Sequence, residues 1–568
     1  MCAPRERDIA MAASTLFTSA LDRRSFLKGC LATGALLAAG GLTSHAALAD
    51  EAAGDKQQGG VLRYYISNPT SIDPFDLEEF NGVAVAFQLF EPLTYYNFET
   101  GKLEPLAAES WESNEAGDEW TFKIREGRTF HDGTKVTAAS FQYGWNRLCS
   151  PSTTDQPSVV SYHLGMVDGY NDVLSGAADE LVGVSCHDEM TLKVKLSKPY
   201  ADFAYVVSAP ALAPIPECAK EDFRTYTMAP VGNGPFKMKG SWADGQYIEL
   251  ERYEDYAGEK PLVDGIYFSI FKDKITAYTE FQAGNLDEVD LPSTQAALAV
   301  EQYGKSEDGY TAQPGKQVLM GDLLYTSYLG LCVTDPALQD KRVRQALSLA
   351  INRQAVCDTI HQGLATPAGD IVPTAIEGND ETRWTYSAYD PDKAGQLLDE
   401  AGYLANGDGQ RDLNLTILVS SSSDTAEFQM YQADWAAVGV TVEIQQMEYA
   451  SMLDNFTAGT FQIGSRGWYA DYPIMDNFLY PLMYTGNGDN VSHYSSEEFD
   501  AKLDEARHTI DNDKRRELMC EVDAIAAEDV PIIPLVHKGL NKVTSARVHD
   551  FTINAQMLPL CTKVWLDA

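Results

Sequence analysis

Basic residues are scarce in this chain of 568: 43 Lys and Arg stand against 83 Asp and Glu, a formal net charge of −40. So acidic a surface repels phosphate backbones and anionic headgroups, which removes nucleic acid from the expected partners. Cysteine is sparse too. The nine cysteines are scattered, with no C-x-x-C pair, which argues against a zinc site. The nine histidines stand far apart without H-E-x-x-H, so His131-Asp132-Gly133 and His493-Tyr494 read as hydrogen-bonding residues rather than metal ligands. No Walker loop, G-x-S-x-G or G-x-G-x-x-G is present. Gly232-Asn233-Gly234-Pro235 cannot replace a phosphate cradle, because Pro235 removes one of the backbone donors. Carboxylate pairs such as Glu78-Glu79 carry little meaning in so acidic a chain. Binding therefore moves ahead of catalysis, and no cofactor or metal is expected.

After residue 49 no apolar run reaches the roughly 18 residues needed to span a bilayer. Before it the sequence has an address. Asp22-Arg23-Arg24-Ser25-Phe26-Leu27-Lys28 precedes an Ala/Leu/Gly-rich run that ends in Ala47-Leu48-Ala49, the pattern of a twin-arginine signal peptide cleaved after Ala49. Cys30 opens the apolar run instead of following it, so it is badly placed for lipidation. Residues 1–49 hold five basic and three acidic residues; without them 38 stand against 80, a net −42. The expected product is an exported protein, periplasmic or on the outer face of the membrane. Its seven remaining cysteines (Cys149, Cys186, Cys218, Cys332, Cys357, Cys520, Cys561) leave disulfide pairing open.

The rest of the chain mixes two periodicities. VLRYYIS after Gly59-Gly60 reads as a strand and SIDP as a turn with an irregular continuation to Gly82. EWTFKIREG and TLKVKLS (191–197) alternate as strands, and TAASFQYGWNRL reads as a helix. APVGNGPFKM (229–238) turns into a strand followed by QYIELERY. Residues 341–361 carry apolar positions at helical spacing, and 415–447 reads as a β-α-β unit with its helix over 425–438. At about 150 residues per domain the length predicts about three or four units of α/β type.

One octapeptide, RGWYADYP (466–473), surrounds the carboxylate of Asp471 with Trp468, Tyr469 and Tyr472. Asp and Pro initiate turns, yet an acid in so apolar a setting is either solvated or met by a cation.

The ordered set GGVLRYYIS with SIDP, LFEPLTYYNFETGKLEPLAAESWE, WTFKIREGRTFHDGTKVTAASFQYGWNRL, PVGNGPFKM with IELERYEDY, KRVRQALSLAINR, and GWYADYP with SHYSSEEFDAKL resembles the bacterial extracellular solute-binding proteins of family 5. Within that family the resemblance is to the oligopeptide-binding receptors of ABC importers. It implies a periplasmic-binding-protein-like α/β fold of two lobes (a Venus flytrap) with mixed sheets, a hinge and an additional domain. Lobe I would comprise 50–82, about 225–325 and about 540–568; the additional domain about 83–224, packed on lobe I; and lobe II about 326–539.

The resemblance further implies that Asp471 is the counter-charge for a peptide's α-ammonium group. Gly467, Trp468 and Tyr469 would offer main-chain groups to the peptide, Glu78, Glu79 and Phe80 would face them from the other lobe, and Tyr449 would line a side-chain pocket. Ser465 and Phe456 stand where some relatives place basic residues toward the ligand's carboxylate, a role Arg466 could fill. Tyr325 and Tyr469 replace a cysteine pair found in some relatives. The expected protein is a monomeric, non-enzymatic receptor whose partners are a small peptide and a membrane permease. A receptor for a nickel chelate, sugar or haem, or an exported folded enzyme, remains open.

Overall fold

Alternating apolar positions build three main sheets. The structure is a computed structural model and describes residues 56–154, 156–421 and 423–567. The expected leader, with Arg23, Arg24 and the expected cleavage site after Ala49, lies outside the described residues. In the seven-stranded sheet the strand Val61–Ile66 runs parallel to Gly265–Ile270, with Val61 opposite Gly265 and Ile66 opposite Ile270. Across the sheet the order is Val318–Leu319, Lys542–Thr544, Glu288–Asp290, Val61–Ile66, Gly265–Ile270, Tyr247–Arg252 and Phe236–Met238. Three distant parts of the chain therefore close one sheet.

A four-stranded sheet, in the order Ala108–Ser113, Glu119–Ile124, Thr191–Lys195, Val184–Asp188, is covered by the helix Ala138–Cys149. Thr137 and Ser140 form a reciprocal capping box at the start of that helix, which satisfies backbone donors there. Leu62 and Phe268 of the first sheet share one buried cluster with Phe122, Trp145 and Phe203 of this region.

The six-stranded sheet has the order Ala365–Pro367, Ile532–Gly539, Asp322–Leu331, Ile463–Tyr469, Asn414–Ser420, Thr441–Met447. The β-α-β unit is present, with Leu415 opposite Val442 in parallel and the helix Ala426–Ala437 between the two strands. Period-two alternation sends Leu329, Leu331, Ile417 and Ile463 to one core, and Tyr328 and Leu418 to another with Phe456 and Phe478.

Two local expectations change. The irregular stretch after SIDP ends at Glu79 rather than Gly82, because the Glu79 carboxylate accepts from the N–H groups of Asn81 and Gly82 and starts the helix Phe80–Leu89. The helical run 341–361 is broken: Lys341–Leu349 ends, Asn352 caps Arg353–Val356, and a single wide turn follows over Cys357–His361. Buried Arg353 donates to the carbonyls of Ser348, Pro534 and Ser387, and anchors the break. The seven cysteines among the described residues are free thiols. Among the described residues no helix is long and apolar enough to cross a membrane, and no group of three His, Cys, Asp or Glu could hold a metal.

Candidate functional site

The strand Ile463–Tyr469 changes character half-way. It pairs with Asp322–Leu331 along its whole length, from Leu331 opposite Ile463 to Tyr325 opposite Tyr469. Its other neighbour, Asn414–Ser420, pairs only with Ile463 and Gly464. From Ser465 to Tyr469 one edge therefore has no strand partner among the described residues. The cleft-side positions also shrink, from Leu329, Leu331 and Ile463 to Ser327, Ser465 and Gly467, and a cleft of about 360 Å³ opens there. Tyr325, Tyr449, Arg466 and Lys538 line it as well. A Cβ on Gly467 would run into the Tyr325 side chain, so a larger residue there requires Tyr325 to move.

Asp471 stands two residues beyond the strand. Tyr162 donates its hydroxyl to Oδ1 at 2.9 Å, and Asn477 Nδ2 donates to Oδ2 at 3.3 Å. The Asp471 N–H donates to Asn477 Oδ1 at 2.9 Å, while Gln556 Nε2 donates to the Asp471 carbonyl at 2.8 Å. His163 stacks beside Tyr162 with ring centroids 4.3 Å apart. Burial holds its imidazole below the usual value, against the pull of the Asp471 charge, so it stays neutral at pH 7. Every hydrogen-bond donor on this carboxylate is thus uncharged, and no Lys or Arg among the described residues forms an ion pair with it.

The remaining residues divide. Phe80 packs its ring on Tyr469, with centroids 4.3 Å apart, and so joins the two segments expected to face each other. Tyr325 and Tyr469, at the positions of the missing cysteine pair, are direct cross-strand partners with rings 5.8 Å apart. Glu79 spends its carboxylate on the helix start, and Glu78 is exposed. Trp468 packs on the core beneath the strand, and its indole N–H finds no acceptor among the described residues. Arg466 is engaged within the protein: it donates to the Tyr449 hydroxyl, also on the cleft, at 2.9 Å and lies 3.8 Å from Asp489. Phe456 is buried against Phe461, and Ser465 lines the cleft. A larger cavity of about 570 Å³, lined by Phe87, Tyr95, Tyr256 and Tyr310 among others, contains none of the residues expected to bind the ligand.

Sequence reasoning missed Tyr162, Asn477 and Gln556. Asn477 was within reach, six residues past Asp471 in the opening turn of the helix Asp476–Met483. Tyr162 and Gln556 meet Asp471 across 309 and 85 residues, and no local pattern marks them.

Residues 102–490 match the model of the bacterial extracellular solute-binding proteins, family 5. The chain belongs to this family. Among its relatives, the periplasmic oligopeptide-binding protein OppA of Salmonella typhimurium is 29% identical over 525 residues, covering 88% of this chain and 92% of that protein. The heme-binding protein A of Haemophilus influenzae is 28% identical, covering 82% and 84%. Among solved structures, the unliganded open form of the murein tripeptide-binding protein MppA superposes with a TM-score of 0.76 at 23% identity, over 90% of this chain and 97% of that one. The Haemophilus influenzae OppA complex with the peptide RPPGFSPFR gives 0.68 at 24%, over 90% and 99%. The fold of this family 5 member is accordingly the two-lobed α/β fold of periplasmic binding proteins, with an additional domain.

Proposed function

We propose that this family 5 member is an exported receptor that binds oligopeptides and delivers them to a membrane permease. The observation that carries the reading is the free strand edge from Ser465 to Tyr469, which ends at a carboxylate oriented only by uncharged donors. An extended peptide adds to such an edge through main-chain hydrogen bonds that are indifferent to its side chains. Its α-ammonium group then supplies Asp471 with the missing cation through a charge-assisted bond. Phe80 and Tyr469 exclude water beside it. Arg23 and Arg24 fit the twin-arginine export route that places such a receptor outside the cytoplasm.

Native mass spectrometry of the purified protein, followed by sequencing of the released molecules, tests the ligand class. Peptides with free amino termini are expected. Release of haem, a sugar or a nickel chelate would overturn the peptide reading and leave a family 5 receptor for another solute.

A further inference from the structure

A buried polar seam joins the region of the four-stranded sheet to the one that carries Asp471. Just after that sheet, Tyr200 donates its hydroxyl to Asp476 Oδ2 at 2.7 Å. The other Asp476 oxygen lies 3.3 Å from Arg507 Nε, and the Arg507 guanidinium lies over the rings of Tyr200 and Tyr480 at 4.6 and 3.6 Å. Next to it the Ala201 N–H donates to the Arg507 carbonyl at 2.9 Å, and Asp202 meets Arg515 at 2.7 Å. At the rim Ile510 packs on Gly117 so closely that its Cδ1 lies 2.8 Å from where a Cβ would be. Tyr200, Asp476 and Asp202 are 2%, 3% and 5% exposed, so separating the two regions would wet all three.

Two features tie this seam to the ligand site. Asp476 directly precedes Asn477, the residue that holds Asp471 by two hydrogen bonds. Tyr162, from the same region as Tyr200, holds the other Asp471 oxygen. Buried ion pairs recover little more than their desolvation cost, so a seam of this kind closes and opens with a small net free energy. A ligand that steadies one end can then tip it.

We propose that Tyr200, Asp476 and Arg507 are positioning residues of a latch, through which occupation of Asp471 holds the additional domain closed against the lobe that bears it. The proposal rests on the peptide reading for its trigger and on the seam alone for its parts. An ammonium at Asp471 fixes the segment 471–477, which presents Asp476 to Tyr200. Ligand escape requires that bond to break.

The test uses the full mature chain with Tyr200→Phe and, as a rim variant that leaves the buried charges intact, Ile510→Ala. With tetra-alanine as probe, stopped-flow release should accelerate about ten-fold or more in Tyr200→Phe, as loss of a hydrogen bond to a charged group implies. Ile510→Ala should accelerate it by a few-fold. Discrimination between free and N-acetylated tetra-alanine should persist in both, because Asp471 is untouched; a merely local disturbance of the site would erode it. Unchanged release in both variants overturns the latch. If the unmodified protein does not bind tetra-alanine, the peptide reading loses support, and hydrogen exchange of ligand-free protein decides the latch. Exchange over residues 198–203 should then be faster in both variants than in the unmodified chain, and equal exchange overturns it.

Discussion

At the scale of single residues, charge and burial make the sharpest claims. Among the described residues Asp471 has uncharged donors and no ion-paired Lys or Arg, so Asp471→Asn keeps the shape and removes the charge that the proposed α-ammonium would meet. Breaking a buried pair from one side costs roughly 3–5 kcal/mol, which lowers peptide affinity by roughly two to three and a half decades. An exposed pair would lose less than about one decade. N-acetylation should cost the unmodified protein a comparable amount and the mutant little more, since one interaction cannot be removed twice. Calorimetry on the four combinations checks this; additive losses would return Asp471 to an ordinary turn residue. His131 makes a second claim, about stability. Its Nδ1 accepts from the Gly232 N–H and its Nε2 donates to the Gly234 carbonyl, both at 3.1 Å, and burial pulls its pKa down to about 4. The unfolded chain takes up this proton near pH 6.5 and the folded one only near 4. His131 therefore stabilises the fold fully above pH 6.5, and that contribution, on the order of 3 kcal/mol, fades as the pH falls toward 4. Urea titrations between pH 7 and 4.5 should show a shallower acid loss in His131→Asn than in the unmodified chain.

At the scale of elements, strand patterns were legible because a period of two is a local property, and a half-buried strand exposes it in six or seven residues. Val61–Ile66, Tyr247–Arg252 and Asn414–Ser420 formed within a residue or two of the apolar runs that predicted them. The helix over 341–361 failed for a non-local reason. Arg353 is held by the carbonyls of Pro534 and Ser387, which no pattern within the segment announces. Glu79 shows the same limit in a site residue: its carboxylate is committed to two backbone N–H groups of a helix start. Glu79→Ala should lower stability by about 0.5–2 kcal/mol, the usual cost of a lost cap. Peptide affinity should change by less than about three-fold, well under the Asp471→Asn loss. Chemical denaturation and calorimetry on one preparation separate the two effects, and a ten-fold affinity loss at unchanged stability would restore Glu79 to direct ligand contact.

At the scale of the whole molecule, the proposed receptor must open to admit an extended ligand, and a relative of this fold is known in an unliganded open form. Closure about the expected hinge should shrink the radius of gyration when a peptide mixture saturates the protein, and small-angle scattering would detect it. An unchanged radius at confirmed saturation would contradict hinge closure. What the sequence determined by itself was whatever local patterns carry: the acidic composition, the absence of enzymatic motifs, the mixed strand and helix content, and the run of segments by which the family is recognised. Tertiary structure alone decided how these meet. The seven-stranded sheet unites Val61–Ile66 with Lys542–Thr544, and Asp471 receives Tyr162 from 309 residues away. The physical reason is that a carboxylate's role depends on what surrounds it in space. Sequence separation does not constrain which distant chain segments a buried core brings beside it, so the same eight residues read as a turn in isolation and as the end of a half-paired strand in the fold.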